Sequence, residues 1–344
     1  MSFSLASSSH AGPHSREVQP RLSALSNLVR RLRRYVKPPN HADFQQKSKQ
    51  TAEDIIRSFV HRFDTSNKLP SVSDPTLEDL CFKEAERRGY ALDMFRPQLT
   101  LGINIAASAY HHLLNVDVKV YIVFFTAFVT YLDDAYPDDP DIRVGVPNFT
   151  KNFLSLENQP SKMLSDLANL LTETYQLFGE VTSDFIVHSV LKFMTALILE
   201  ARITHQRRQT HKIEKYAIFL RELSGIADAY IEFIFPTELP YSVYIEAFPC
   251  LREVVCFMND ITSFYKEECA GENHNLVTLL AEARGVSKVK ILSHLVEKCM
   301  EAHHGTLLIL LPHKEARRLY EQFVLGYLTF YLGAKRYRLS ELNL

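Results

Sequence analysis

A run of thirteen strongly apolar residues, Val120–Leu132, most constrains how this chain can fold. The run is too short to cross a membrane, which takes about 20 residues in a helix. A helix built from it would be apolar on nearly every face, so protein must surround it on all sides. The chain of 344 residues is 46% apolar, which is enough for a large core. The run therefore predicts a central buried helix and no stable membrane insertion.

The rest of the chain predicts more helices and no sheet. No alternating strand series and no fixed repeat period occurs, and prolines separate stretches of helical periodicity. The predicted helices cover residues 51–63, 76–88, 97–115, 118–135, 161–178, 182–208, 212–234, 242–268, 287–304 and 312–334. The pattern favours a single all-α domain that spans residues 45–344.

Residues 1–44 differ in composition from the rest of the chain. The first 42 residues contain eight serines, seven Lys or Arg and one acidic residue, which predicts a flexible basic N-terminal extension. Apolar residues between Leu22 and Val36 recur at helical spacing with arginines among them. This stretch is interpreted as an amphipathic helix packed on the domain, with an organelle presequence or a membrane-surface contact as the alternatives.

Charge and cysteine content exclude several classes of protein. The formal net charge of −1 gives no overall attraction to nucleic acid, so any anion site must be local. The five cysteines are an odd number and include no CxxC pair, which argues against a disulfide framework and a zinc knuckle. A reducing compartment follows, and the cytoplasm is the predicted location, with organelle targeting by the basic segment left open.

Three oxygen-bearing side chains recur every fourth residue within the predicted helix 242–268. Asn259, Ser263 and Glu267 therefore project from one face of that helix. Their amide, hydroxyl and carboxylate oxygens suit a hard cation such as Mg²⁺. A solvated polar face is the alternative interpretation of these three residues, which we call the oxygen ladder.

Two carboxylates end the central apolar helix. Asp133 and Asp134 lie just before Pro137, where they repel each other and face the negative end of the helix dipole. This helix end therefore needs a cation. The acidic residues that follow are interpreted as a solvated loop: Asp138, Asp139 and Asp141.

Basic residues elsewhere complete a candidate anion site. Arg221 precedes Gly225 by four residues, where a glycine favours a break in the helix that frees a carbonyl group. Lys266 lies beside the oxygen ladder, and Arg336 and Tyr337 lie close to the C-terminus. Arginine presents a planar fork to phosphate oxygens, while lysine acts as a compact charge. Together with the two acidic sets, these residues predict a diphosphate site.

This combination resembles the class I terpene cyclases. The strings FLRELSG (219–225), MNDITSFYKEE (258–268) and KRYRLSE (335–341) are similar to the trichodiene synthase family of fungal sesquiterpene cyclases. The resemblance covers roughly residues 45–344. It implies a single α-helical barrel or bundle that encloses an apolar active-site cavity.

The resemblance implies three Mg²⁺ ions. Asp133 would bind two of them, and Asp134 would assist through hydrogen bonds when the site closes. The oxygen ladder of Asn259, Ser263 and Glu267 would bind the third.

The resemblance also implies how the substrate diphosphate is held. Arg221 would sense it, Ser224 would act as the linker, and Gly225 would supply the effector carbonyl. The remaining diphosphate ligands would be Lys266, Arg336 and Tyr337. Metal ions and cationic side chains would stabilise the leaving group's charge as the C–O bond breaks.

The implied reaction ionises farnesyl diphosphate and cyclises the allylic cation to a C15 terpene whose identity stays open. The chain has no tryptophan, so Phe and Tyr must steady the cation by cation–π attraction. Helical geometry places four residues of the central helix on the face that carries Asp133, either as cavity contour or as ordinary core: Ile122, Thr126, Val129 and Thr130.

Two departures from the family pattern bear on this expectation. Pro137 occupies the place of the usual third acid, and Ser224 stands where an acid or amide is more usual. The alternatives are an isoprenyl diphosphate synthase, against which the oxygen ladder argues, and a non-catalytic helical binding protein. A homodimer is left open.

Overall fold

The computed structural model describes residues 51–63, 73–206, 213–342 and 344. Regular structure in these residues is entirely helical, and we number the α-helices in chain order. They are α1 Ala52–His61, α2 Pro75–Arg87, α3 Leu92–Ser108, α4 Val116–Ala135, α5 Pro140–Leu154, α6 Lys162–Leu177, α7 Glu180–Gln206, α8 Glu214–Ser224, α9 Ala227–Glu232, α10 Phe248–Ala270, α11 Leu276–Arg284, α12 Lys288–Ile309 and α13 Lys314–Gly333. The all-α prediction is confirmed. The extension of residues 1–44 and its boundary lie outside the described residues and stay predictions.

The central position of helix α4 is confirmed. Nearly every residue from Tyr121 to Leu132 is buried, and the Asn115 side chain caps the helix by accepting from the amide of Asp117 at 3.0 Å. Helix α3 packs along α4 because Gly102 leaves room for the Val123 carbonyl, which a Cβ atom would strike. The apolar run therefore forms the centre of the core, as its composition required.

Helices α5 and α11 were not predicted from the sequence. The first contains prolines and the second is short. Prolines were predicted to separate the helices, yet Pro140 occupies the first turn of α5 after the Asp139 cap and Pro147 lies within α5. A proline is tolerated there because the first amides of a helix have no intrahelical partner. Helix α11 spans only nine residues, with Asn275 as its cap.

Several predicted boundaries were also wrong. The helix predicted at 97–115 begins at Leu92, continues through Pro97 and ends at Ser108. The helix predicted at 242–268 begins at Phe248, after two 3₁₀ turns. The stretch predicted as one helix over 212–234 forms α8 and α9, which are separated at Gly225 and Ile226.

Among the described helices, one is long and apolar enough to cross a membrane by length and composition alone. This segment is Glu180–Arg202 of α7, and half of its apolar window is buried inside the protein. A core helix of a soluble protein passes the same test, so the segment is weak support for a membrane span.

Candidate active site

A cavity of about 370 Å³ opens among α3, α4, α7, α8, α9, α10, α11, α13 and the C-terminal turn. Its size falls in the usual range for small-molecule sites. Most of the predicted site residues line it: Thr126, Val129, Thr130, Asp133, Arg221, Ser224, Gly225, Asn259, Ser263, Lys266, Glu267, Arg336 and Tyr337. Chain folding therefore brings residues from distant helices to one concave surface.

Two predicted residues lie away from the cavity wall. Ile122 is fully buried in the core, one helical turn farther than Thr126 from Asp133. The Tyr230 hydroxyl donates to Thr126 Oγ1 at 3.2 Å, and both residues line the cavity. Ile122 is not among the residues that line the cavity, which fits the core alternative, and its contour role stays a prediction. Asp134 is the other residue, and it contacts the site through Arg336.

The two aspartates at the end of α4 have different surroundings. Asp134 accepts hydrogen bonds from Arg336 Nη1 at 2.9 Å and Nη2 at 2.6 Å, and from Gln98 Nε2 at 3.3 Å. Asp133 lines the cavity with 58% of its side chain exposed, and its Oδ2 lies 4.0 Å from Arg336 Nη2. Solvent reaches Asp133, but the surrounding cavity walls remove part of its hydration and raise its pKa, which Arg336 opposes.

The oxygen ladder lies on the cavity side of α10 and is not a freely solvated face. Ser263 is only 2% exposed, and its Oγ atom makes no well-formed hydrogen bond among the described residues. The Glu267 carboxylate is near enough for this hydroxyl and Lys266 to lower its pKa, but loss of hydration raises the pKa overall. A buried hydroxyl with no well-formed hydrogen bond, beside a partly dehydrated carboxylate, fits a hard cation.

Any cation held here would depend on mixed oxygen ligands. No group of three or more His, Cys, Asp and Glu side chains with metal-binding geometry occurs in the part of the chain that the structure describes. The predicted ligands that line the cavity are the Asp133 and Glu267 carboxylates, the Asn259 amide and the Ser263 hydroxyl. This donor set suits Mg²⁺ better than a softer metal.

Arg221 is held against α10 by three groups. Its Nε donates to Asp260 at 3.0 Å, and its Nη2 donates to the Cys256 carbonyl at 3.1 Å and to Asn259 Oδ1 at 3.0 Å. Burial disfavours the guanidinium charge, but Asp260 outweighs this effect and raises the pKa of Arg221. Arg221 is therefore charged and oriented before any anion arrives. Sequence reasoning missed Asp260, although it stands inside the quoted NDITSFYKE string.

Gly225 is needed because a larger side chain there would collide with Arg221. The left-handed backbone at the end of the helix belongs to the next residue, Ile226. Gly225 has ordinary right-handed backbone angles, with φ −74°. A Cβ atom on it would lie 2.6 Å from Arg221 Nη1 and 2.9 Å from the Arg221 carbonyl oxygen. Ile226 instead adopts the left-handed conformation, with φ 50° and ψ 18°, which is strained for a β-branched residue. The predicted break is confirmed, because Gly225 ends α8 and Ile226 separates it from α9, while the effector role of the Gly225 carbonyl stays a prediction.

Other cavity residues carried no recognisable sequence signal. Glu200 of α7 lines the cavity, where loss of hydration and the charge of Asp133 raise its pKa to about 7. At the mouth, Lys266 Nζ lies 3.7 Å from Glu272 Oε1. Glu200 stands in a long helix without a motif, so only the tertiary structure identifies it.

Aromatic side chains form part of the cavity wall. The rings are Phe193, Tyr230, Tyr327, Phe330, Tyr331 and Tyr337. Tyr337 packs edge-on against Tyr331, with ring centroids 4.6 Å apart. Phe and Tyr therefore supply the aromatic surface, as the absence of tryptophan required. Such faces attract cations through the ring quadrupole.

The fold is that of the class I terpene synthases. Two solved structures share the fold: the linalool/nerolidol synthase from Streptomyces clavuligerus in complex with 2-fluorogeranyl diphosphate, and a hedycaryol synthase. The first has a TM-score of 0.61 and 15% identity, covering 79% of this chain and all of that one. The second has a TM-score of 0.55 and 17% identity, covering 80% and 98%.

Sequence similarity assigns the family. The sequence pattern of the trichodiene synthase family matches residues 103–343. Alpha-cuprenene synthase COP6 of Coprinopsis cinerea is 32% identical over 84% of this chain and 89% of its own length. Longiborneol synthase CLM1 of Gibberella zeae is 30% identical over 67% and 68%. The chain belongs to the trichodiene synthase family and is a terpene synthase.

Proposed function

We propose that this protein is a Mg²⁺-dependent sesquiterpene cyclase of the cytoplasm that ionises farnesyl diphosphate and cyclises the resulting allylic cation. One observation supports the proposal above all. The oxygen ladder, Asp133 and the cationic residues lie on different helices, yet they line a single cavity that continues into an aromatic and apolar wall. An anionic head and an apolar tail therefore each find a matching surface in the same cavity.

Each group has a distinct part in the proposed reaction. Asp133, Asn259, Ser263 and Glu267 would hold the Mg²⁺ ions, three of which we expect from the family resemblance, and these ions would neutralise the leaving diphosphate. The diphosphate oxygens would be bound by Arg221, Lys266, Arg336 and Tyr337.

The remaining cavity residues would act on the hydrocarbon part of the substrate. Thr126, Val129 and Thr130 would shape the folded chain next to the mouth. The Tyr and Phe rings would stabilise the migrating positive charge and exclude water from it. The terpene product is decided by this wall, whose contour is specific to each synthase.

Diphosphate release tests the proposal directly. The protein is incubated with geranyl, farnesyl or geranylgeranyl diphosphate, with Mg²⁺ or with EDTA, and volatile products are separated by gas chromatography. We expect diphosphate release and a C15 product from farnesyl diphosphate, and neither in EDTA.

The outcomes separate the alternatives. Absence of release from every prenyl diphosphate would contradict the enzymatic proposal and favour a binding protein. A longer prenyl diphosphate as product would indicate a chain-elongating transferase. Preference for geranyl diphosphate would overturn only the substrate length, and one relative, from Postia placenta, carries the name monoterpene synthase 25.

A further inference from the structure

Asn259 stands at one end of a chain of hydrogen bonds that leads into helix α13. Its Nδ2 atom donates to Tyr331 Oη at 3.1 Å, and Tyr331 Oη donates to Tyr327 Oη at 2.7 Å. Tyr327 Oη donates in turn to the Val255 carbonyl oxygen at 3.4 Å. Both tyrosines are buried, with 2% and 4% of their surfaces exposed. Their hydroxyl groups therefore depend on each other more than on water.

The chain of hydrogen bonds has only one consistent direction. A backbone carbonyl oxygen can accept but never donate, so the proton of Tyr327 points to Val255. The proton of Tyr331 is then used on Tyr327, and the oxygen of Tyr331 is left to accept from Asn259. The orientation of an amide side chain follows from its hydrogen-bond partners. Since the Tyr331 oxygen must accept, the Asn259 NH₂ group lies at Tyr331.

The Asn259 oxygen consequently points away from α13, toward the ion-binding side. It accepts from Arg221 Nη2 at 3.0 Å, which is consistent with the same orientation. Arg221 is also a proposed ligand of the substrate diphosphate, whereas the buried Tyr331 hydroxyl is bonded to Asn259 and Tyr327. We propose that Tyr331 is a positioning residue that holds the Asn259 carboxamide with its oxygen toward the cation, an inference that rests on the proposed function.

The proposal explains why a hydroxyl is present at a position that is otherwise apolar. With phenylalanine at position 331, the Asn259 NH₂ group would lose its acceptor and Tyr327 would lose its donor. The amide could then turn by 180° and present its NH₂ group to the cation, which repels it. The populated fraction of the binding-ready orientation would fall, and the apparent affinity for the ion would fall with it.

A binding measurement tests this inference without turnover. Isothermal titration calorimetry with Mg²⁺ and inorganic diphosphate compares the wild type, Tyr331→Phe and Tyr320→Phe. Tyr320 is a matched control because it is a fully buried tyrosine of the same helix that pairs with His303, away from the cavity. We expect about five-fold weaker binding for Tyr331→Phe, the factor for one neutral hydrogen bond, and no change for Tyr320→Phe.

A second background separates orientation from general damage. In Asn259→Asp the two carboxylate oxygens are equivalent, so no flip is possible and Tyr331→Phe should weaken binding much less than in the wild type. An equal loss in both backgrounds, or wild-type affinity in Tyr331→Phe, would overturn the inference. Lack of Mg²⁺ and diphosphate binding by the wild type would instead overturn the proposed function on which it rests.

Discussion

Arg336 donates two hydrogen bonds to the Asp134 carboxylate, at 2.9 and 2.6 Å, although the residues are 202 positions apart in the chain. The pair joins the C-terminal 3₁₀ turn Lys335–Tyr337 to the end of the central helix. Both side chains remain about one-third exposed, so the pair contributes little to global stability. Its effect is local, because it sets where the Arg336 guanidinium stands beside Asp133.

This pairing predicts that substitution of Asp134 and substitution of Asp133 will lower catalytic efficiency to different extents. Asp134→Asn removes the charge that orients Arg336, and we expect about ten-fold lower kcat/KM for farnesyl diphosphate. Asp133→Asn removes a proposed ion ligand and should lower kcat/KM by about a hundred-fold or more. Steady-state kinetics at saturating Mg²⁺ measures both values. Equal losses in the two variants would contradict the division of roles.

The oxygen ladder predicts loss of activity without loss of stability. Glu267→Ala should lower turnover by about a hundred-fold, since one proposed ion ligand is gone. Loss of hydration raises the pKa of Glu267 in the fold, so its removal should leave the free energy of unfolding unchanged or higher. Glu268→Ala is the matched control, because Glu268 is exposed and pairs with Lys288. Full turnover by Glu267→Ala would refute the ligand assignment.

Gly225 predicts a steric effect on Arg221. In Gly225→Ala the new methyl group would overlap Arg221 Nη1, so the guanidinium would have to shift and its Nε would lose its place beside Asp260. We expect about 1–3 kcal/mol lower stability and at least about ten-fold weaker inhibition by inorganic diphosphate.

Gly179→Ala is the corresponding control. Nothing lies within 4 Å of a Cβ atom at Gly179, so stability and inhibition should change little. Urea denaturation and inhibition kinetics measure both variants. Wild-type inhibition of Gly225→Ala by diphosphate would show that the orientation of Arg221 is unimportant.

Glu232 predicts a pH-dependent stability. This carboxyl is 1% exposed, and burial raises its pKa from 4.5 to about 7 despite hydrogen bonds from Thr182 and Tyr241. The folded state binds the Glu232 proton more tightly than the unfolded state does. The protonated carboxyl therefore adds its full contribution to the free energy of unfolding below pH 4.5, and this contribution is lost as the pH rises to about 7. The loss should be on the order of 2–3 kcal/mol.

Glu232→Gln should remove most of this slope. Free energies of unfolding by urea between pH 5 and pH 8 compare the variant with the wild type, and the variant should become relatively more stable as the pH rises. The same slope in both proteins would show that another group titrates.

The central helix and the ladder were predictable because their signals are local. A thirteen-residue apolar run can satisfy its side chains only inside a core, and spacing of four residues places side chains on one helix face. Helices α5 and α11 were not predicted, because a proline in the first turn and a nine-residue length give weak local signals.

The hydrogen-bond and charge partners of the site residues could not be predicted from short stretches of sequence. Nothing in the sequence indicated that Asp260 would hold Arg221, that Asp134 would hold Arg336, or that Glu200 would face Asp133. Each contact joins helices that are far apart in the chain. The Tyr230 hydroxyl that donates to Thr126 also comes from another helix.

The sequence by itself determined the class of fold, the family and the chemical types of the predicted site residues. Helical periodicity, ligand spacing and residue chemistry are properties of short stretches of chain, so they can be read before folding. Only the tertiary structure decided that the Asn259 carboxamide meets Arg221 with its oxygen and Tyr331 with its nitrogen, and that Asp260 and Asp134 pair with Arg221 and Arg336. Those outcomes depend on packing and hydrogen bonding between separate helices, and in a buried, close-packed interior each polar atom takes the partner that the neighbouring helix presents.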